Sequence, residues 1–136
     1  MEWRMIQTVL MIDDLRTLSI QEETDLGVVT YARTSEAGLA VLHEWTSWLG
    51  FHRIILDHDL GGEDTIRPVI ERFESTIGQA MENLGLDDRS EMDNFIANVK
   101  AHTNSMPVIE IVTSNPAGRI YLKAFAERYF QRIVGA

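Results

Sequence analysis

Three short stretches of this sequence place acids or hydroxyls directly after an apolar run. Thr8-Val-Leu-Met-Ile-Asp-Asp14 ends in paired aspartates. Arg53-Ile-Ile-Leu-Asp-His-Asp-Leu-Gly-Gly62 ends in Asp57-His58-Asp59 and a glycine pair, and Pro107-Val-Ile-Glu-Ile-Val-Thr-Ser-Asn115 ends in a hydroxyl pair and an amide. An apolar run that stops at acids and turn-formers reads as a buried parallel strand delivering side chains to its C-terminal edge. That edge is where open α/β sheets bind ligands. If the three ends meet, Asp13, Asp14 and Asp57 cannot all stay ionised without a counter-charge. A hard divalent cation, Mg2+ or Mn2+, is the natural one, because it takes oxygen ligands and needs only one or two carboxylates beside a substrate phosphate. The chemistry expected is metal-assisted handling of phosphate, with Thr113 or a nearby backbone N–H donating to a phosphoryl oxygen.

Each of these residues also has a purely structural reading. Asp13 and Asp14 can end a strand and satisfy turn amides. Strand alternation points His58 away from Asp57, so it either packs under the next helix or, within a site, shuttles protons. Asp59 either caps its loop or assists the metal, and Gly61 and Gly62 serve the turn. Arg16 and Arg119 follow strand ends and are candidates for phosphate contact alongside Thr113 and Asn115, although solvent exposure is the commoner fate of arginine. His43, His52 and His102 are scattered and carry no assigned role.

The elements that must position these groups follow from periodicity. Thr8–Ile12 is the first strand, behind a lead-in whose Trp3 and Met5 cover an edge of the core. Leu15–Leu26 reads as a loop with one helical turn, and Gly27–Arg33 as the second strand. Thr34 or Ser35 caps a helix that carries Ala37, Val41, Trp45, Trp48 and Leu49 inward and runs to Gly50. After the third strand, a helix begins near Thr65 or Ile66, with Pro68 in its first turn, and ends at Asn83. Ser90 and Asp93 resemble a capping box that opens a helix with Met92, Phe95, Ile96 and Val99 inward, closed by residues 102–106. Pro107–Val112 is the fourth strand. Asn115 and Pro116 start a helix to Tyr129, and Arg132–Val134 is a last short strand. The order predicts an α/β three-layer sandwich with a mostly parallel, flavodoxin-like sheet. With the strands placed in the flavodoxin-like order 2-1-3-4-5, the switch point lies between the first and third. Residues 1–136 read as one domain with a helical elaboration at about 75–105.

Composition narrows the function classes. A chain of 136 residues, 45% hydrophobic and 24% charged, is ordinary for a globular domain. The net charge of −9 argues against an extended nucleic-acid surface but not against a small nucleotide held through a metal. No apolar run reaches bilayer length, and Met1-Glu-Trp-Arg4 lacks a signal-peptide layout, so no membrane partner is expected. The absence of cysteine removes disulfides and thiolate-metal sites, and cytoplasm is the expected location.

Paired acids after the first strand, an aspartate ending the third and a Ser/Thr ending the fourth resemble the site of response-regulator receiver domains. The resemblance implies that Asp13 and Asp14 hold the metal, that Asp57 is the phosphoacceptor and that Thr113 is the phosphate-contacting hydroxyl. Receivers also carry a lysine at the end of the fifth strand, whereas the lysines here are Lys100 and Lys123, and the first receiver helix is not evident between Asp14 and Gly27. Ile12-Asp-Asp-Leu-Arg16, Leu56-Asp-His-Asp-Leu-Gly61 and Thr113-Ser-Asn-Pro-Ala-Gly118 more closely resemble a divergent receiver-like family predicted to process cyclic phosphates, found in phages and bacteria. That resemblance implies a metal-dependent phosphoester enzyme opening a cyclic nucleotide phosphate. Asp57 or a water held at the metal would be the nucleophile, His58 an acid or base, and Thr113, Asn115 and Arg16 phosphate contacts. Two other readings stand beside it. One is a signalling receiver that accepts phosphate on Asp57 and changes its affinity for a signalling protein. The other is a non-catalytic, phage-encoded module that binds a host protein through its acidic surface or the Ser75–Ser105 region.

Overall fold

The β-branched and apolar segments pair side by side into one sheet. The computed structural model describes residues 7–101 and 106–135. Its strands are β1 (Thr8–Ile12), β2 (Val28–Ala32), β3 (Arg53–Leu56), β4 (Val108–Ile111) and β5 (Ile133–Val134), in the order β2-β1-β3-β4-β5. Every pairing is parallel, so the sheet is wholly rather than mostly parallel. Parallel strands need helical crossovers. These are α1 (Ile20–Leu26), α2 (Ser35–Val41), α3 (Arg67–Asn83), α4 (Arg89–Ala101) and α5 (Pro116–Tyr129).

Strand alternation divides the core between the two faces. Leu10, Ile12, Ile54, Leu56, Ile109 and Ile111 join the large cluster that includes α3 and α5, whereas Val9, Met11 and Ile55 lie under Leu18 and Leu26. This is the flavodoxin-like three-layer arrangement. Phe73 of α3 anchors the larger side, with ring centroids 5.1 Å from Trp48, 5.2 Å from Phe125 and 4.9 Å from Tyr129. Truncating such a residue to alanine costs roughly 3–5 kcal/mol. Among the described residues, no helix is long and apolar enough to cross a membrane.

Three expected elements differ in the structure. The stretch before β2 contains a two-turn helix, α1, because Ser19 and Glu22 form a reciprocal capping box (Glu22 N to Ser19 Oγ 3.1 Å, Ser19 N to Glu22 Oε1 3.1 Å). The single helix expected from residue 35 to 50 is broken. It ends at Val41, Leu42 leaves helical geometry, and a 3-10 turn follows at Trp45–Gly50. Thr76 of α3 captures the Trp45 N–H at 2.8 Å and Trp48 is fully buried, so tertiary contacts override the periodicity. The cap of α4 is Asp88 rather than Ser90, its Oδ1 accepting from Glu91 N at 2.9 Å. Trp3, Met5 and residues 102–105 lie outside the described residues.

Candidate functional site

Register sets which side chains meet. Ile12 pairs with Leu56 and Leu56 with Ile111, so Asp13 and Asp57 emerge side by side, with Thr113 one strand over. The ladder extends past the strand ends (Asp13 N to Ala32 O 3.1 Å, Asp57 N to Ile12 O 2.9 Å), which fixes the backbone under both acids. Adjacent parallel strands are about 4.8 Å apart, so neighbouring carboxylates in register must crowd. Asp14 is brought in by the turn. Asp13 Oδ1 accepts from Leu15 N at 3.0 Å and Arg16 N at 2.8 Å, curling the chain back on itself. One oxygen from each of Asp13, Asp14 and Asp57 lies within 4.8 Å of the others. This cluster sits between β1 and β3, where the strand order reverses.

Asp57 titrates above the ordinary carboxylate range, first because it is buried and then because of the Asp13 charge beside it. The Thr113 hydroxyl and the backbone amides of Asp59 and His58 hydrogen-bond to its carboxylate and oppose that rise. Thr113 is itself buried, and its Oγ1 also accepts from Asn115 N at 3.2 Å. The only side-chain cation paired with the cluster among the described residues is Arg16, half exposed, with Nε 3.8 Å from Asp13 Oδ2. Three crowded carboxylate oxygens facing one loosely placed guanidinium fit a hard divalent cation in donor type and in charge. Asp13, Asp14 and Asp57 are the residues that would hold it.

The loop after β3 packs over this cluster. Asp59 bridges Thr65, Leu60 N donates to Asp64 O at 2.9 Å and Ile66 N to His58 O at 2.8 Å. Gly61, at φ +92°, presses against Asp14, where a Cβ would lie 3.2 Å from Oδ2. Asp64 ties the loop to α2 by accepting from Ser35 N (2.8 Å) and Ser35 Oγ (2.5 Å), contacts that hold its own pKa low.

The remaining candidates are placed apart from the acids. His58 is buried on the α3–α5 side, its ring edge-on to Tyr121 at 5.8 Å. Its Nε2 faces Arg67 Nε at 3.2 Å and its Nδ1 faces Asp59 Oδ1 at 2.8 Å. A guanidinium only donates, so Nε2 accepts and Nδ1 carries the proton given to Asp59. Of the two readings of His58, the packed one describes where it sits. Asp59 is half exposed and occupied by His58 and by Asn115 Nδ2 (3.2 Å), which hold its pKa low. It caps the loop and stands outside the acid cluster. Asn115 Oδ1 caps α5, accepting from Ala117 N at 3.0 Å and Gly118 N at 3.2 Å. Arg119 turns back to the chain, donating to the carbonyls of Thr113 (2.5 Å) and Gly135.

Two further contributors carry no sequence motif. Arg33, at the end of β2, donates to the carbonyls of Asp13 and Arg16, and Arg67 lies 4.1 Å over the Tyr121 ring while holding His58. The end of β2 was a readable position, being a fourth strand end beside β1, but arginine there has no pattern that marks it. In sequence comparison the chain matches no family model and no curated protein.

Proposed function

We propose that this chain is a receiver-like protein that cleaves a phosphoester, of the cyclic nucleotide class, at the Asp13–Asp14–Asp57 cluster with Mg2+ or Mn2+ bound. The observation that carries the reading is the convergence of three carboxylates from two strands within 4.8 Å at the sheet's switch point. A cation there offsets the charge of the acids and of the phosphate. Asp13 and Asp14 bind from β1 and Asp57 from β3. Thr113 orients the Asp57 carboxylate, and in this reading Arg16 contacts a phosphoryl oxygen from the rim, its Nε being 3.8 Å from Asp13 Oδ2. In the balanced reaction, water adds its oxygen to phosphorus and one P–O ester bond breaks. The released alkoxide takes a proton, leaving an open phosphomonoester.

The alternative, a phosphoacceptor receiver, shares these acids and needs a lysine beside them. Lys100 instead donates to Glu127 O at 2.5 Å, and Lys123 lies 3.8 Å from Glu127, so both serve the α4–α5 side. That placement favours the hydrolytic reading. Incubation with Mg2+ or Mn2+ and a panel of cyclic nucleotides is expected to give a ring-opened product, lost in Asp57→Asn. No turnover, or turnover unchanged in that variant, overturns the proposal.

A further inference from the structure

We propose that Arg33 is a positioning residue that sets the β1 half of the acid cluster, acting from the ring of Tyr31. The inference rests on the reading of Asp13, Asp14 and Asp57 as an ion site. Past Ile12 the chain leaves the ladder and must turn sharply. Its amides at Leu15 and Arg16 are satisfied by Asp13 Oδ1. Two of its carbonyls and one hydroxyl accept from a single guanidinium: Arg33 Nη1 donates to Asp13 O at 3.2 Å and Arg16 O at 2.5 Å, while Nη2 donates to Thr17 Oγ1 at 2.9 Å. Arg33 is half-buried and lies 4.6 Å over the Tyr31 ring. The Tyr31 hydroxyl extends the clamp to α1, accepting from Leu18 N at 3.1 Å and donating to Glu23 at 2.5 Å.

The consequence is specific to Asp13 and Arg16. Arg16 has its N–H fixed by the Asp13 carboxylate and its C=O by Arg33, so its side chain starts from an immobile backbone at the rim. Asp13 is held from below by Ala32 O and from the side by Arg33. A planar fork that bridges several acceptors is a property of arginine, and a lysine ammonium on a flexible stem does not reproduce it. Groups that orient ligands in this way typically change metal affinity 10–100-fold when lost.

The test compares wild type, Arg33→Gln and Arg33→Lys by amide hydrogen exchange without added ion and by Mn2+ titration calorimetry. Exchange at Leu15 and Arg16 is expected to accelerate about tenfold in both variants, with β1 and β3 amides unchanged, and Mn2+ affinity to fall by about tenfold. Lysine is expected not to rescue. Unchanged exchange at these amides, faster exchange throughout the sheet, or full rescue by lysine overturns the assignment. An Arg33→Gln variant that fails to fold leaves Arg33→Lys to decide it. Wild type that binds no Mn2+ overturns the ion-site reading and this inference's link to it, and the exchange result then decides the clamp alone.

Discussion

His58 and Gly118 occupy one space. A Cβ on Gly118 would fall 2.5 Å from His58 Cγ and 2.6 Å from its Cβ, so α5 rests directly on the imidazole. The contact joins the segment after β3 to the segment after β4, and a second one runs alongside it from Asn115 Nδ2 to Asp59. The histidine and glycine of these two motifs thus hold α5 against β3, while Asp57 beside the histidine faces the cluster.

Gly118→Ala is therefore expected to destabilise the protein by roughly 1–3 kcal/mol through overpacking. Alanine is otherwise favoured over glycine in a helix, by less in this first turn than the interior value of about 1 kcal/mol, so even the sign is informative. Urea denaturation measures it, and combining the change with His58→Ala is expected to recover part of the loss. A single variant as stable as wild type would mean that α5 slides freely.

Asn115→Ala removes the cap of α5 and the donor to Asp59 together, an expected loss of about 1–2 kcal/mol. Asn115→Asp keeps the cap but sets a second carboxylate against Asp59. That variant is expected to be less stable than wild type at neutral pH and to recover on mild acidification. Urea melts at two pH values check both, and an Asn115→Ala protein indistinguishable from wild type would remove the cap from the account.

Asp57 gives a pH dependence with a definite sign. Its pKa is raised in the folded protein by burial and by Asp13, so folding takes up protons across the interval above 3.8. Its favourable contribution is present below that ordinary value and is lost as pH rises through the raised folded value. At neutral pH, without divalent ions, Asp57→Asn is expected to melt higher than wild type, with the gap closing as pH falls towards about 4. Calorimetric melts across that range decide it, and a variant that melts lower at neutral pH contradicts the charge crowding.

The architecture was legible because each apolar run stops where its strand stops. The ends of β1, β3 and β4 and the Asn115 cap all followed from that punctuation, while the strand order came from the flavodoxin-like arrangement that the β–α alternation suggests. The meeting of Asp13, Asp14 and Asp57 was legible for the same reason, since register at a switch point leaves in-line acids nowhere else to go. The break after Val41 was not, because it depends on Thr76 and a buried Trp48 from distant positions. The helix α1 is a turn longer than the single turn expected in that polar run, although its Ser19–Glu22 spacing carries a capping signal. The role of Arg33 carries no sequence signature because its contacts to Asp13 and Arg16 are to backbone carbonyls, which every residue has and no pattern marks.

A thermal-shift titration of wild type and Asp13→Asn with Mg2+ and Mn2+ tests the central claim most directly. Asparagine keeps an oxygen for the Leu15 and Arg16 amides while removing the charge, so the turn survives and the ion site does not. Wild type is expected to gain about 2.7 kcal/mol at an ion concentration a hundredfold above Kd, and the variant to gain little. A melting temperature indifferent to both ions up to millimolar concentrations, or rising equally in wild type and Asp13→Asn, would contradict an ion site at these three acids.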